Sequence, residues 1–463
     1  MPPAARWALA SLSLSMLLSS LGTSIANVGL PSLALAFDAS FQKVQWVVLA
    51  YLLAIATLIV GAGRLGDLLG RRQILLAGIA MFTAGSALCG GAPTLEWLIA
   101  ARVLQGVGAA LMLALTMAFI GETVPKEKSG SAMGLLGTMS ASGTALGPAL
   151  GGLLISGYGW RAIFLVNVPL GIATYLLARW HLPADRDRST PVHVGFDTLG
   201  TFLLAVSLGA YALAVTWGRG TFGSVNLVLL MASVFALAVF IAAERRASEP
   251  LLRLTLFRDR SLNASLGSSA LVATVMMATL VVGPFYLSGA LGLAPAGVGM
   301  ALSIGPLAVA FTGVPAGHLV DRIGAARMTL AGLIAMAGGC ALLAVLPLSS
   351  GVAGYVLPMV AVTIGYGVFQ TANNTSVMAG IPADRRGVIS GMLNLSRNLG
   401  LITGASVMGA VFALASGSGP VTAANGQQIA AGMQATYTVA GLLVGVAILL
   451  VWWSSKASRA RSI

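Results

Sequence analysis

Apolar runs of about 20 residues, separated by short polar connections, repeat along almost the whole chain. That is the length at which a helix crosses a hydrocarbon core about 30 Å thick. The runs fall at approximately 7–30, 46–63, 74–91, 97–119, 131–155 and 162–178, then 198–217 and 225–243. A last group follows at 262–283, 297–316, 328–348, 355–379, 388–413 and 436–453. The pattern predicts an all-α integral membrane protein of fourteen transmembrane helices in groups of six, two and six. A polar linker, Arg179 to Val194, contains Asp185, Arg186, Asp187 and Arg188 and follows the first six runs; a charged connection, Glu244 to Arg260, precedes the last six. The expected domains are an N-terminal six-helix bundle at 1–180, a linker with two extra transmembrane helices at 181–260, and a C-terminal six-helix bundle at 261–463. The first run is longer than a usual signal-peptide core and is read as a retained helix.

Composition closes off the soluble classes. Only 8% of the 463 residues are charged and 57% are hydrophobic, against about 25% and roughly 45 to 50% in soluble domains. The 58 glycines suit helices that must approach closely in lipid, where hydrophobic force between helices is weak. A net charge of +13 could point to nucleic acid, but the basic residues stand singly between apolar runs, so none is expected as a partner. Cys89 and Cys340 lie far apart in apolar surroundings and read as packing residues. His181, His193 and His318 form no metal-like cluster, and no Walker-type loop or nucleophile constellation is present, so the chain is not expected to be an enzyme or to carry a cofactor or metal.

Charge also orients the spans. Of the Lys and Arg residues in connections, only Lys43, Arg161 and Arg219 fall on the side opposite the termini. The positive-inside rule therefore places both termini in the cytoplasm. A repeat sharpens the architecture: Gly63, Leu65, Asp67 and Gly70 recur as Gly317, Leu319, Asp321 and Gly324. Two duplicated six-helix bundles with a site near the midplane are the design of rocking secondary transporters.

The stretch Gly63 to Arg72 resembles the signature loop of the major facilitator superfamily, and Arg102-Val-Leu-Gln-Gly-Val-Gly-Ala-Ala resembles its fourth-helix basic motif. Gly143-Thr-Ala-Leu-Gly147-Pro148-Ala-Leu-Gly151-Gly152 is similar to the fifth-helix motif of exporters, and Trp160-Arg-Ala-Ile-Phe-Leu-Val-Asn167-Val-Pro169 to the segment after it. The resemblance covers nearly the whole chain and points to the fourteen-helix drug:proton antiporter branch. It implies a secondary exporter of amphipathic small molecules, multidrug or toxic, working by alternating access with proton influx. It further implies a monomer in the inner membrane of a bacterium, with lipid and protons as its other partners. A dedicated exporter of one metabolite shares the same motifs, and a substrate-sensing membrane protein without transport is the alternative from another class.

Each motif has a physical reading. The first charged stretch reads as a loop too short for more than a tight turn. Gly63, Arg64, Asp67, Gly70, Arg71 and Arg72 would form a cytoplasmic clamp there, with Gly317, Asp321 and Arg322 as a weaker second copy; fixing topology is the plainer role of the arginines. Arg102 inside a span costs about 2.5 to 3.5 kcal/mol on insertion scales and should face a cavity or a partner. Arg102, Gln105, Ala109, Met112 and Thr116 follow steps of three and four, one stripe of a helix; a structural, hydrogen-bonded arginine is the other reading. Asn27, Tyr51 and the group Gln370, Asn373, Asn374 are further cavity candidates, as is the face carrying Asn394, Arg397 and Asn398, with helix-to-helix bonds as the alternative. Gly143, Gly147, Pro148, Gly151 and Gly152 read either as a gating bend or as a close-packing face.

One departure stands out. The branch usually has an aspartate in the first helix where this chain has Gly22. No acidic residue lies deep in a span, so Glu122 and Asp38 are the remaining candidates for proton coupling. With an uncompensated Arg102, the cavity is expected to favour neutral or anionic substrates over dications.

Overall fold

The computed structural model describes residues 3–123, 129–183, 197–217, 223–247, 257, 259–379, 386–417 and 425–459. Its first half contains α1 (Pro3–Ala36), α2 (Phe41–Val44), α3 (Trp46–Leu69), α4 (Arg71–Gly90), α5 (Leu95–Thr123), α6 (Ser129–Tyr158), α7 (Ala162–Leu165) and α8 (Asn167–His181). Next come α9 (Thr198–Thr216) and α10 (Ser224–Arg246). The remainder comprises α11 (Arg260–Phe285), α12 (Pro295–Ile323), α13 (Ala325–Ala344), α14 (Gly351–Ala379), α15 (Arg386–Thr403), α16 (Gly409–Ala415) and α17 (Gly426–Arg459). Every predicted apolar run is mostly helical. Among the described residues, twelve helices are long and apolar enough to cross a membrane. The run at 162–178 is interrupted at Val166, because Pro169 has no N–H to give the carbonyl four residues back.

Two compact units emerge. Unit 1 comprises 1–37, 46–213 and 227–251; inside it α1 packs on α6, α4 on α5 and α3 on α5. Unit 2 comprises 38–45, 214–226 and 252–463; inside it α11 packs on α15, α13 on α14 and α12 on α14. The same three pairings thus occur in each unit, the structural counterpart of the sequence repeat. Helices α9 and α10 are tied by reciprocal bonds, Ser207 Oγ to the Ser233 carbonyl at 3.1 Å and Ser233 Oγ to the Ser207 carbonyl at 2.8 Å. Their outer faces are bare: Phe202, Val228, Met231 and Phe235 are all exposed, which suits contact with lipid.

The short α2 belongs to unit 2 although it precedes α3 in sequence. Phe41 stacks edge-on against Phe285 at 4.8 Å and tilts against Phe412 at 5.4 Å, and Gln45 Nε2 donates to the Ala405 carbonyl. Two aromatic contacts and an amide bond explain why so short a helix is fixed there.

The charged motif is mostly helix rather than loop, which corrects the tight-turn expectation. Helix α3 runs through Leu69 and α4 begins at Arg71, so the connection shrinks to Gly70, at φ 98° and ψ 124°. Its repeat, Gly324, has φ 95° and ψ 142° between α12 and α13. Only glycine adopts that backbone without strain, so one residue reverses the chain in each unit. Replacing Gly70 or Gly324 by alanine should each cost about 1 to 3 kcal/mol. Gly63→Ala is the matched control: its Cβ meets nothing within 4 Å and alanine favours the helix. Thermal unfolding in detergent checks this; equal melting of Gly70→Ala and Gly63→Ala would refute it.

Candidate functional site

The site grows from Arg102 on α5, because a guanidinium wholly enclosed inside a membrane-crossing helix must find acceptors nearby. Arg102 is 0% exposed. Its Nε donates to the Val47 carbonyl at 2.7 Å, and Nη1 donates to the Gly22 carbonyl at 3.1 Å and to Gln105 Oε1 at 2.6 Å. The guanidinium carbon lies 4.1 Å from the centre of the Tyr51 ring and 5.9 Å from that of Phe164, so aromatic faces meet the charge. Tyr51 is itself fixed by donating its hydroxyl to the Ser19 carbonyl at 2.8 Å.

A relay continues from there. Gln105 Nε2 donates to Ser86 Oγ at 2.7 Å, and Ser86 Oγ donates to the Phe82 carbonyl at 2.7 Å. Gln105 and Ser86 sit on α5 and α4, which approach so closely that a Cβ on Gly85 would lie 2.7 Å from the Gln105 nitrogen. Backbone contact along this seam brings the short Ser86 side chain within reach of Gln105. Among the described residues the titratable neighbours of the guanidinium are the Cys89 thiol and the Tyr51 phenol, with no carboxylate among them. Every member of the stripe Arg102, Gln105, Ala109, Met112 and Thr116 is 0% exposed.

The other candidates separate. Asn27 is buried on α1 and donates to the Thr23 carbonyl at 3.0 Å, and Asn167 is buried and donates to the Ile163 carbonyl at 3.2 Å. In unit 2, Asn373 is buried and reaches the Ser265 carbonyl at 3.4 Å, while its neighbour Asn374 is exposed and Gln370 half-buried. Those three do not share one environment: adjacent positions turn by about 100° around a helix. Asn394 and Arg397 are half-buried on α15, and Asn398 donates to the Asn394 carbonyl at 2.9 Å.

Gly143, Gly147 and Gly151 line the face of α6 that meets α1. A Cβ would stand 2.5 Å from the Leu17 carbonyl at Gly143 and 1.9 Å from Ser24 Oγ at Gly147. Ser24 Oγ donates to the Gly143 carbonyl at 3.1 Å, and Ser20 and Ser140 share a 2.7 Å bond. Pro148 lies inside α6, and Gly152 is buried beside Gly151. Unit 2 repeats the device on α15 and α11, where Thr274 Oγ1 donates to the Gly400 carbonyl at 3.1 Å.

In the charged motif, Arg72 donates to the Arg179 carbonyl at the end of α8, a cation at a helix C-terminus. Gly317 and Arg322 lie on the last turns of α12, with Arg322 exposed. The side chains of Arg64, Asp67, Asp321 and Glu122 lie outside the described residues, as does the linker stretch 184–196. Asp38 is exposed in the turn after α1 at φ 44°, a left-handed conformation that aspartate tolerates. Cys89 and Cys340 are free and buried.

Sequence reasoning missed Phe82, Ser86 and the two carbonyl acceptors. Phe82 and Ser86 are four residues apart, one helical face, and that spacing was the available signal; the carbonyls of Gly22 and Val47 carry none.

Comparison with known proteins agrees with this fold. The chain is 34% identical over 395 residues to a Mycobacterium tuberculosis protein named multidrug resistance protein Stp, covering 84% of this chain and 72% of that one. It is 29% identical over 406 residues to riboflavin transporter RibZ of Clostridioides difficile, covering 86% of each. The crystal structure of a bacterial homolog of the human lysosomal transporter Spinster, inward-facing and unoccupied, superposes with a TM-score of 0.70 at 15% identity, covering 98% of both chains; at that identity the likeness concerns the fold. Residues 12–405 match the Major Facilitator Superfamily, so this multi-pass membrane protein, with its enclosed arginine relay, belongs to that superfamily of transporters and is not an enzyme.

Proposed function

We propose that the chain is a fourteen-span exporter of the drug:proton antiporter branch that moves amphipathic small molecules out of a bacterial cell by alternating access. The observation that carries this reading is the Arg102–Gln105–Ser86 relay: a polar network of three side chains, each 0% exposed, on helices long and apolar enough to cross a membrane. Such groups inside a span mark a transport path by default. The relative named for multidrug resistance and the exporter-like glycine run on α6 support the direction of transport. The inner membrane, cytoplasmic termini and a monomeric state belong to the same reading. In it, Gly63 to Arg72 and Gly317 to Arg322 act as cytoplasmic clamps, Asn27 and Tyr51 in unit 1 and Gln370, Asn373, Asn374, Asn394 and Arg397 in unit 2 are candidates for the transport path, and Gly143 to Gly152 gates it.

Coupling to proton influx is part of the proposal, with Glu122 and Asp38 as carriers, since Gly22 brings no carboxylate to α1. A gradient of about 100 mV supplies about 2.3 kcal/mol per proton, enough for roughly fifty-fold accumulation. The similarity to a protein named riboflavin transporter favours, as second reading, a carrier for one metabolite. Everted vesicles with an imposed pH gradient test both. Wild type should accumulate several unrelated amphipathic dyes when the gradient is present, Glu122→Gln should lose the gradient dependence, and Arg102→Ala should lose uptake. Gradient-independent uptake by wild type would remove the antiport step, and uptake of one compound alone would select the dedicated carrier.

A further inference from the structure

Arg102 leaves one nitrogen unused. Nε and both N–H groups of Nη1 have acceptors, but Nη2, fully enclosed, has no hydrogen-bond partner among the described residues. The three acceptors are two carbonyls and an amide oxygen, all neutral, and the facing titratable groups are a thiol and a phenol. Among the described residues no carboxylate faces the guanidinium, and Nη2 keeps a two-donor edge, which is chemistry for an anion.

The packing beside Gly22 leaves little room there for an acidic side chain of the protein itself. A Cβ on Gly22 would stand 3.0 and 3.2 Å from the Cε2 and Cζ atoms of Phe82 and 3.1 Å from the Tyr51 hydroxyl. The Phe82 ring, 0% exposed, fills the space that a side chain at position 22 would take. That space adjoins the guanidinium, whose Nη1 already bonds the Gly22 carbonyl.

We infer that Arg102 Nη2 is a binding point for one monovalent anion, the carboxylate of an amphipathic substrate or inorganic chloride, and that Gly22 and Phe82 together set this charge preference by excluding an internal acid. The inference deepens the exporter reading and rests on it, because the enclosed guanidinium is reached only when a carrier opens. An aspartate at position 22, with the ring removed, becomes the internal counter-ion and displaces the external one.

The test measures binding, so that a failure of transport does not enter it. Purified full-length chain in detergent, in chloride-free sulfate buffer, is titrated with sodium benzoate and separately with sodium chloride, reading the melting temperature. Wild type should show saturable stabilisation by benzoate if the carboxylate is the ligand, or by chloride alone if the inorganic ion is. The apparent affinity of Gly22→Asp/Phe82→Ala should be at least tenfold weaker than that of Gly22→Asn/Phe82→Ala, which is equal in shape and neutral. Should the aspartate variant not fold, Arg102→Gln takes its place and should lose saturable binding. Absence of saturable stabilisation by either salt, or equal affinity in the aspartate and asparagine variants, overturns the inference. Dye uptake in vesicles, scored separately, decides the exporter reading.

Discussion

Gly108→Val should leave almost no folded protein, a loss of more than about 4 kcal/mol, which places it among the exceptional single substitutions. A Cβ at Gly108 would lie 2.4 Å from the Phe82 nitrogen, 2.6 Å from the Gly78 carbonyl and 2.8 Å from the Phe82 Cα. All three are backbone atoms of α4, so no rotamer change relieves them and the whole helix must withdraw. Withdrawal then empties the seam at two further points, Gly78 against Leu111 and Gly85 against Gln105. Because lipid is as apolar as the helix surface, packing contacts rather than water exclusion hold these helices together, so lost contact is not replaced. It also pulls Ser86 from Gln105. The control is Gly338→Val on α13, where a Cβ meets nothing within 4 Å and only the small helix preference of valine is felt. Yield and melting temperature of the detergent-solubilised protein read the difference; similar profiles for the two variants would disprove the seam argument.

The same contrast shows what hydropathy reveals and what it hides. Helix positions were legible because lipid imposes one length on every crossing helix, and the repeat was legible in part because Gly70 and Gly324 both adopt a backbone that favours glycine. The ends of α3 were misread: three arginines and an aspartate suggested a loop, yet charged side chains can reach the interface from a continuing helix, and only Gly70 stops it. The seam glycines of α4 and α5 were invisible as a pair, since neither helix's sequence states which face the other will meet. Arg102 and Gln105 were legible as candidates because polar groups stand out in an apolar run. Their carbonyl acceptors were not, because Gly22 and Val47 act through groups that every residue possesses.

Arg102→Met should separate stability from transport. Removing the guanidinium forfeits three hydrogen bonds to a charged group, each worth about 1.5 to 3 kcal/mol, and the Tyr51 contact at 4.1 Å. It also abolishes the penalty of enclosing an uncompensated charge, several kcal/mol by itself, and leaves Gln105 still bonded to Ser86. These terms oppose one another at similar size, so the unfolding free energy should move by no more than about 2 kcal/mol. Transport should nevertheless fall at least tenfold, because methionine offers neither charge nor donor to a substrate. Arg102→Lys should fail similarly: acceptors from α1, α3 and α5 surround a planar fork, and a single ammonium on a flexible stem cannot meet all three. Vesicle uptake and melting temperature, measured on the same preparations, decide the matter. If Arg102→Met unfolded outright while Arg102→Lys kept full uptake, the arginine would be a structural tie between helices and the path would have to be sought elsewhere in the molecule.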